Sequence, residues 1–234
     1  MRFTRYLSLL VSLALLGLPA VLLSAGPAAA AEATQVGMKV TPKGVKVYGY
    51  KFSIAGQVSF VRPEDGKRYA VNSGGVKLQR KYKGKKAWRT VQTDATAGSY
   101  DFDPVRANAN AAYRVVYSGG ATSAYTFSPS SSAAKSVKVA RKITDRGVKR
   151  NGRLLLKGKV APSWKHKNVI VQRKLCKAKR CDWKTYTVDR TNQRGQFRAR
   201  VSAPRTGSWF YRAKVRGTTK YVTSYGTTYR AYSL

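Results

Sequence analysis

Beyond its first thirty or so residues the chain carries a strand pattern. Leu154, Leu156, Gly158 and Val160 share one parity, with Lys157 and Lys159 on the other. Phe197, Ala199 and Val201 alternate with Arg198 and Arg200, and Tyr211, Ala213 and Val215 alternate with Arg212, Lys214 and Arg216. A period of two predicts strands with one face on a core and one in water. Lys83-Gly84-Lys85, Ala97-Gly98-Ser99, Ser118-Gly119-Gly120, Asn151-Gly152 and Arg194-Gly195-Gln196 mark turns between them. Short strands at this spacing predict antiparallel β-sandwiches, and almost nothing reads as helix.

The pattern occurs twice. Val76–Lys81 returns as Val169–Lys174, Trp88-Arg89-Thr90-Val91 as Trp183-Lys184-Thr185-Tyr186, Gly98–Phe102 as Gly195–Ala199, and Tyr113-Arg114-Val115 as Tyr211-Arg212-Ala213. A repeat this long is a whole small domain rather than a solenoid unit. The expected layout is a first sandwich over 32–127, a polar linker at 128–134 and a second sandwich over 135–234. Large aromatics at matched strand positions are what a sandwich interior uses, so Trp88, Trp183, Tyr113 and Tyr211 are expected in the cores. Trp164, Trp209 and Phe210 have no aromatic twin in the first repeat. Trp164 in a Lys-rich loop and Phe210 on the Arg212 side are candidates for stacking on a base or sugar.

The order G-x-V, V-x-L-Q-R-K, W-x-T-V, G-x-F/Y and Y-R-V resembles tandem bacterial Ig-like (carboxypeptidase-regulatory or prealbumin-like) β-sandwich repeats of secreted actinobacterial proteins. It is read here in Gly56-Gln57-Val58 with Val76–Lys81, and in Gly158-Lys159-Val160 with Val169–Lys174. The resemblance implies adhesive, spacer or surface-display roles and supplies no catalytic residues.

Residues 1–31 read as a secretory signal peptide. Arg2 and Arg5 precede an apolar stretch from Tyr6 to Leu23, and Pro27-Ala28-Ala29-Ala30-Ala31 offers small residues for cleavage before Glu32. With no second apolar run, no membrane helix is expected after cleavage, and the protein is expected outside the cell or loosely on its envelope. In an oxidising compartment Cys176 and Cys181, flanking a hairpin loop, are expected to form a disulfide. A redox pair uses tighter spacing, and a metal site needs more Cys or His.

Charge sharpens the functional reading. Residues 32–134 hold 16 basic and 6 acidic side chains, while 135–234 hold 28 basic and 3 acidic, a net charge of +25. So few acids cannot pair so many cations, which points to an anionic partner. The candidate polyanion-binding residues are Lys157, Lys159, Arg198, Arg200, Arg212, Lys214 and Arg216 on strand faces, with Lys177, Lys179 and Arg180 on the hairpin tip. The partner classes are a teichoic-type polymer, an acidic polysaccharide or extracellular DNA, bound by counterion release. The alternative is a spacer or assembly module with a protein partner. An enzyme would need Lys or Tyr chemistry hidden in a loop. His166 is the one His and lies between Lys165 and Lys167, with no carboxylate to orient it. Nine acids make a glycosidase pair a poor expectation. Asp94, Asp101 and Asp103 lack the spacing of a calcium loop, so no metal or cofactor is expected.

Overall fold

A computed structural model describes residues 30–177 and 181–233. The expected signal peptide lies outside the described residues except for Ala30 and Ala31. From Ala31 on the chain forms one compact unit, and every regular element described is a strand. No described helix is long and apolar enough to cross a membrane.

Each repeat folds as an antiparallel Ig-like sandwich. In the first, Lys39–Thr41, Lys51–Gly56 and Tyr100–Arg106 form a three-stranded sheet. It faces a sheet built from Arg89–Asp94, Val76–Tyr82 and Ala111–Tyr117, on which Ser130–Ser131 and Lys135–Val137 pair as two short pieces. In the second, Lys142–Arg150, Arg153–Ala161 and Gln196–Val201 form the three-stranded sheet. Lys184–Arg190, Asn168–Lys174 and Trp209–Val215, with Ser224–Tyr225 and Tyr229–Ala231, form its partner.

The correspondence extends to single residues. The G-x-V glycines sit opposite aromatic rings: Gly56 pairs with Tyr100 and Gly158 with Phe197. A Cβ on Gly158 would lie 2.6 Å from the Phe197 ring, so the glycine is required by close approach. The register slips at the same place in both repeats, between Leu78 and Gln79 and between Val171 and Gln172. The cores are filled by the predicted parity, with Leu156, Phe197 and Ala199 of one sheet against Val171, Tyr211 and Ala213 of the other. Tyr113 and Tyr211 are buried as expected.

The expected linker is not one. Ser130–Ser131 and Lys135–Val137 pair with Ala111–Tyr117 as Ser224–Tyr225 and Tyr229–Ala231 pair with Trp209–Val215. Residues 130–137 are therefore the closing strand of the first sandwich, and the second begins near residue 141. The segment looks like a linker because its polar Ser-Ser-Ser run pairs at a sheet edge, where only alternate positions face the core. Val137 and Val139 are buried in the first core. A fragment of 32–140 is expected to melt cooperatively by circular dichroism. One ending at residue 134 should lose that transition, because it lacks those side chains and their strand pairing.

No slack separates the two sandwiches. Val139–Ala140 pairs in parallel with Lys46–Val47 of the first. Asn110 donates its backbone N–H to the Lys220 carbonyl (2.8 Å) and its side-chain amide to the Thr219 carbonyl (3.1 Å). Its side-chain oxygen accepts from the Val139 N–H at 2.8 Å. Tyr221, though in the second repeat, belongs to the first core and donates its hydroxyl to the Asn108 carbonyl at 2.7 Å. The Arg141 guanidinium lies 4.4 Å from the Trp164 ring and 4.2 Å from that of Tyr221.

Cys176 and Cys181 are joined, with Cα atoms 5.8 Å apart. A loop this short stabilises by about 2 kcal/mol in the chain-entropy picture. Reduction should lower the melting of the second sandwich by that order and leave the first unchanged. Non-reduced mass spectrometry showing two free thiols would contradict the bond.

Candidate polyanion-binding face

The ten predicted residues do not form one surface. Because the core lies between the sheets, the outer faces of a sandwich point in opposite directions. Lys157, Lys159, Arg198 and Arg200 are on the outer face of the three-stranded sheet, and Arg212, Lys214 and Arg216 belong to the strand and strand end of the opposite one. Lys177 is exposed on the disulfide hairpin. Lys179 and Arg180 lie outside the described residues.

Arg212 is also not a free cation. Its guanidinium is 4.1 Å from the centroids of both Trp183 and Tyr225, and its Nε donates to Gln172 Oε1 at 3.0 Å. Burial lowers its pKa from the ordinary arginine value, with Tyr225 opposing. The first repeat carries the same clamp, with Arg114 at 4.5 Å over Trp88 and its Nε on Gln79 Oε1 at 2.9 Å. This corrects the expectation that Trp88 and Trp183 fill the cores. Both are half-buried on outer faces beneath arginines. Each directly precedes a strand, where parity does not fix direction. Trp164, read as a possible stacking platform, is instead 6% exposed in the second core. Its indole N–H donates to the Asn168 carbonyl at 3.1 Å. Trp209 packs partly buried on the same core.

The three-stranded sheet presents a cation lattice. Arg146 pairs with Lys157 and Lys157 with Arg198, so three cations lie side by side across three strands. Neighbouring strands are ~4.8 Å apart, and residues two apart along a strand are separated by roughly 6.7 Å. Lys159 and Arg200 extend the rows, and Arg150 pairs with Arg153 at the end of the same face. Arg146, Arg150 and Arg153 escaped the sequence reading. In Lys142–Arg150 the two apolar residues, Ile143 and Val148, fall on opposite parities, so the segment shows no alternation.

The electrostatics of this face are one-sided. Burial first, then the charges of Arg198, Arg150 and Arg146, push the Lys157 ammonium below its ordinary value. Among the described residues the ion pairs are those of Arg62 with Glu64 and Asp65, all in the first sandwich. The nearby acids accept from neutral donors, Asp145 through one oxygen while its buried Oδ2 has no hydrogen-bond partner. Asp189 Oδ2 accepts from the Arg198 backbone N–H at 2.6 Å. Asp145 Oδ1 accepts from the Thr227 N–H at 3.2 Å and the Tyr229 hydroxyl at 3.1 Å. A cleft of about 820 Å³ runs along the face between Arg146, Lys157, Lys159, Arg190 and Arg198, with Asp145, Asp189, the Phe197 ring and the amides of Asn192 and Gln196 also lining it.

The first sandwich serves as a reference. Its positions matching Arg146, Lys157 and Arg198 are Lys39, Ala55 and Asp101, by the same strand pairings. The same scaffold therefore holds together without the cation row.

No family model and no curated protein matches the chain. Among solved structures it is similar to the chicken interferon gamma receptor alpha chain at 9% identity and a TM-score of 0.45. That match covers 85% of this chain and 97% of the receptor chain. It is also similar to the three N-terminal domains of the bacteriophage RB49 highly immunogenic outer capsid protein, at 12% identity and a TM-score of 0.28. The match covers 85% of this chain and 68% of that one.

Proposed function

We propose that the protein is an exported, non-enzymatic binding protein that holds anionic polymer on the three-stranded sheet of its second sandwich. The observation that carries this reading is the row Arg146, Lys157 and Arg198, unpaired with any described carboxylate and replaced by Lys39, Ala55 and Asp101 in the first repeat. A cation lattice of this kind binds phosphate or carboxylate polymers by displacing their counterions. No outward position of its three strands is aromatic and the Phe197 ring at the cleft is buried, so the face has no platform for base stacking. Sequence-independent binding follows, and a teichoic-type polymer or acidic polysaccharide suits the face as well as DNA does. Export is supported by the Cys176–Cys181 disulfide and by the signal-like residues 1–31.

The test is a titration of the protein against a polyol-phosphate polymer and against duplex DNA across a salt series. Log affinity should fall linearly with log salt for both polymers. Affinity indifferent to salt would overturn the reading and leave the spacer role.

A further inference from the structure

A second groove, of about 790 Å³, opens between the sheets of the second sandwich, beside Gly147 and Tyr229. At its floor the half-buried Leu154 and Val201 are open to the groove, with the buried Leu156, Tyr211 and Ala231 of the core beneath them. The first sandwich is closed at the same place. By strand register Val40 matches Gly147, Phe52 matches Leu154 and Val137 matches Ala231. Each residue of the second repeat is the smaller, whereas Trp209 and Tyr229, in place of Ala111 and Lys135, are larger and stand to the side of Gly147, so the volume is moved rather than restored there. At its end the first core is further sealed by Val139 and Tyr221. The second has an exposed Ser233 at the position of Val139.

The rim is cationic. Lys149, Arg153, Arg200 and Arg230 border the groove, and none of its lining residues is acidic. A cavity of this size with an apolar floor and a few charged groups at its mouth has the form of a small-molecule site. The arrangement selects a ligand with an apolar chain and one anionic end. A polyanion alone would leave the floor wet, and a neutral apolar ligand would not use the rim. We infer that this groove binds the acyl chain of an anionic amphiphile, with its phosphate or carboxylate head held by Arg153 and Arg230. The groove borders the cation face and shares Arg153 and Arg200 with it, but neither Lys157 nor Arg198 lines it, and the inference does not depend on the polymer-binding reading.

The probe is dodecyl phosphate below its micelle threshold, titrated calorimetrically into the purified protein. Butyl phosphate supplies the head without the chain, and dodecyl maltoside supplies the chain without the charge. One dodecyl phosphate should bind per chain, at least tenfold tighter than either control. Gly147→Val and Ala231→Val restore the residues that close the first repeat and should each weaken binding at least tenfold. A Cβ at Gly147 meets Tyr229 at 3.4 Å, an ordinary contact, so the thermal melt should be kept. Lys157→Ala with Arg198→Asp should leave dodecyl phosphate binding unchanged. Butyl phosphate binding as tightly would overturn the site, as would dodecyl phosphate binding untouched by both groove-filling variants or abolished by the Lys157/Arg198 pair.

Discussion

Changing Lys157→Ala and Arg198→Asp together should reduce polyanion affinity roughly ten- to a hundredfold at about 0.1 M salt while leaving the fold intact. The fold is expected to survive because Ala55 and Asp101 occupy these positions in the first sandwich. The slope of log affinity against log salt should become shallower by about 2, the loss of two phosphate contacts at ~0.9 each. The specificity of the test lies in its partner variant. Lys214→Gln with Arg216→Asp makes the same change in net charge on the other side of the sandwich and should cost far less. Equal losses from the two pairs would mean that net charge, not the lattice, does the binding. A sign also follows for protons. Lys157 titrates below its ordinary range in the free protein, and a bound polyanion favours its charged form. Binding should therefore take up protons on the alkaline side of neutrality, and the Arg198→Asp background should lose part of that uptake, since burial is the larger cause.

The second large effect is expected at the joint. Tyr221→Ala removes a ring that is 7% exposed, packs edge-on against Tyr48 and donates a hydrogen bond to Asn108. Truncating a buried aromatic costs about 3–5 kcal/mol. The cost should fall on the first sandwich although the residue belongs to the second repeat, because Tyr221 lies in the first core. It also leaves Arg141 with a single ring, that of Trp164. Hydrogen exchange resolved by residue should show faster opening around Val105, Ala107 and Val139, with Val171 and Ala213 little changed. If only the loop around residue 221 opens, the two sandwiches are merely adjacent and the joint is not part of the core.

Much of this architecture was legible in the sequence, for a physical reason. In Arg153–Ala161, Gln196–Val201 and Trp209–Val215 every inward position is apolar or glycine and most outward ones are charged, so parity alone fixes which way each residue faces. The matched blocks then supplied the second sandwich. What stayed hidden depended on pairing across the chain. Lys142–Arg150 carries Ile143 and Val148 on opposite sides, and only its register with Arg153–Ala161 shows that Arg146 and Arg150 join the cation face. Residues 130–137 lack an apolar run, and only their match to 224–231 reveals a strand. The candidate site was half legible. Charge density singled out the second domain, but seven strand cations that look equivalent in sequence divide between opposite faces, and one of them is clamped between aromatic rings.

The Trp–Arg–Gln clamp and the cation row differ in how the two repeats share them. The clamp survives in both copies with the same partners, Trp88, Arg114 and Gln79 in one and Trp183, Arg212 and Gln172 in the other. The face opposite it has not. Both copies share one chain, one compartment and one solubility demand, yet Asp101 stands where its twin is Arg198. A demand on the whole molecule cannot separate two copies in this way. The copies differ again at the groove, Gly147 and Ala231 against Val40 and Val137, so the differences gather on the three-stranded sheet and its open end and spare the clamp.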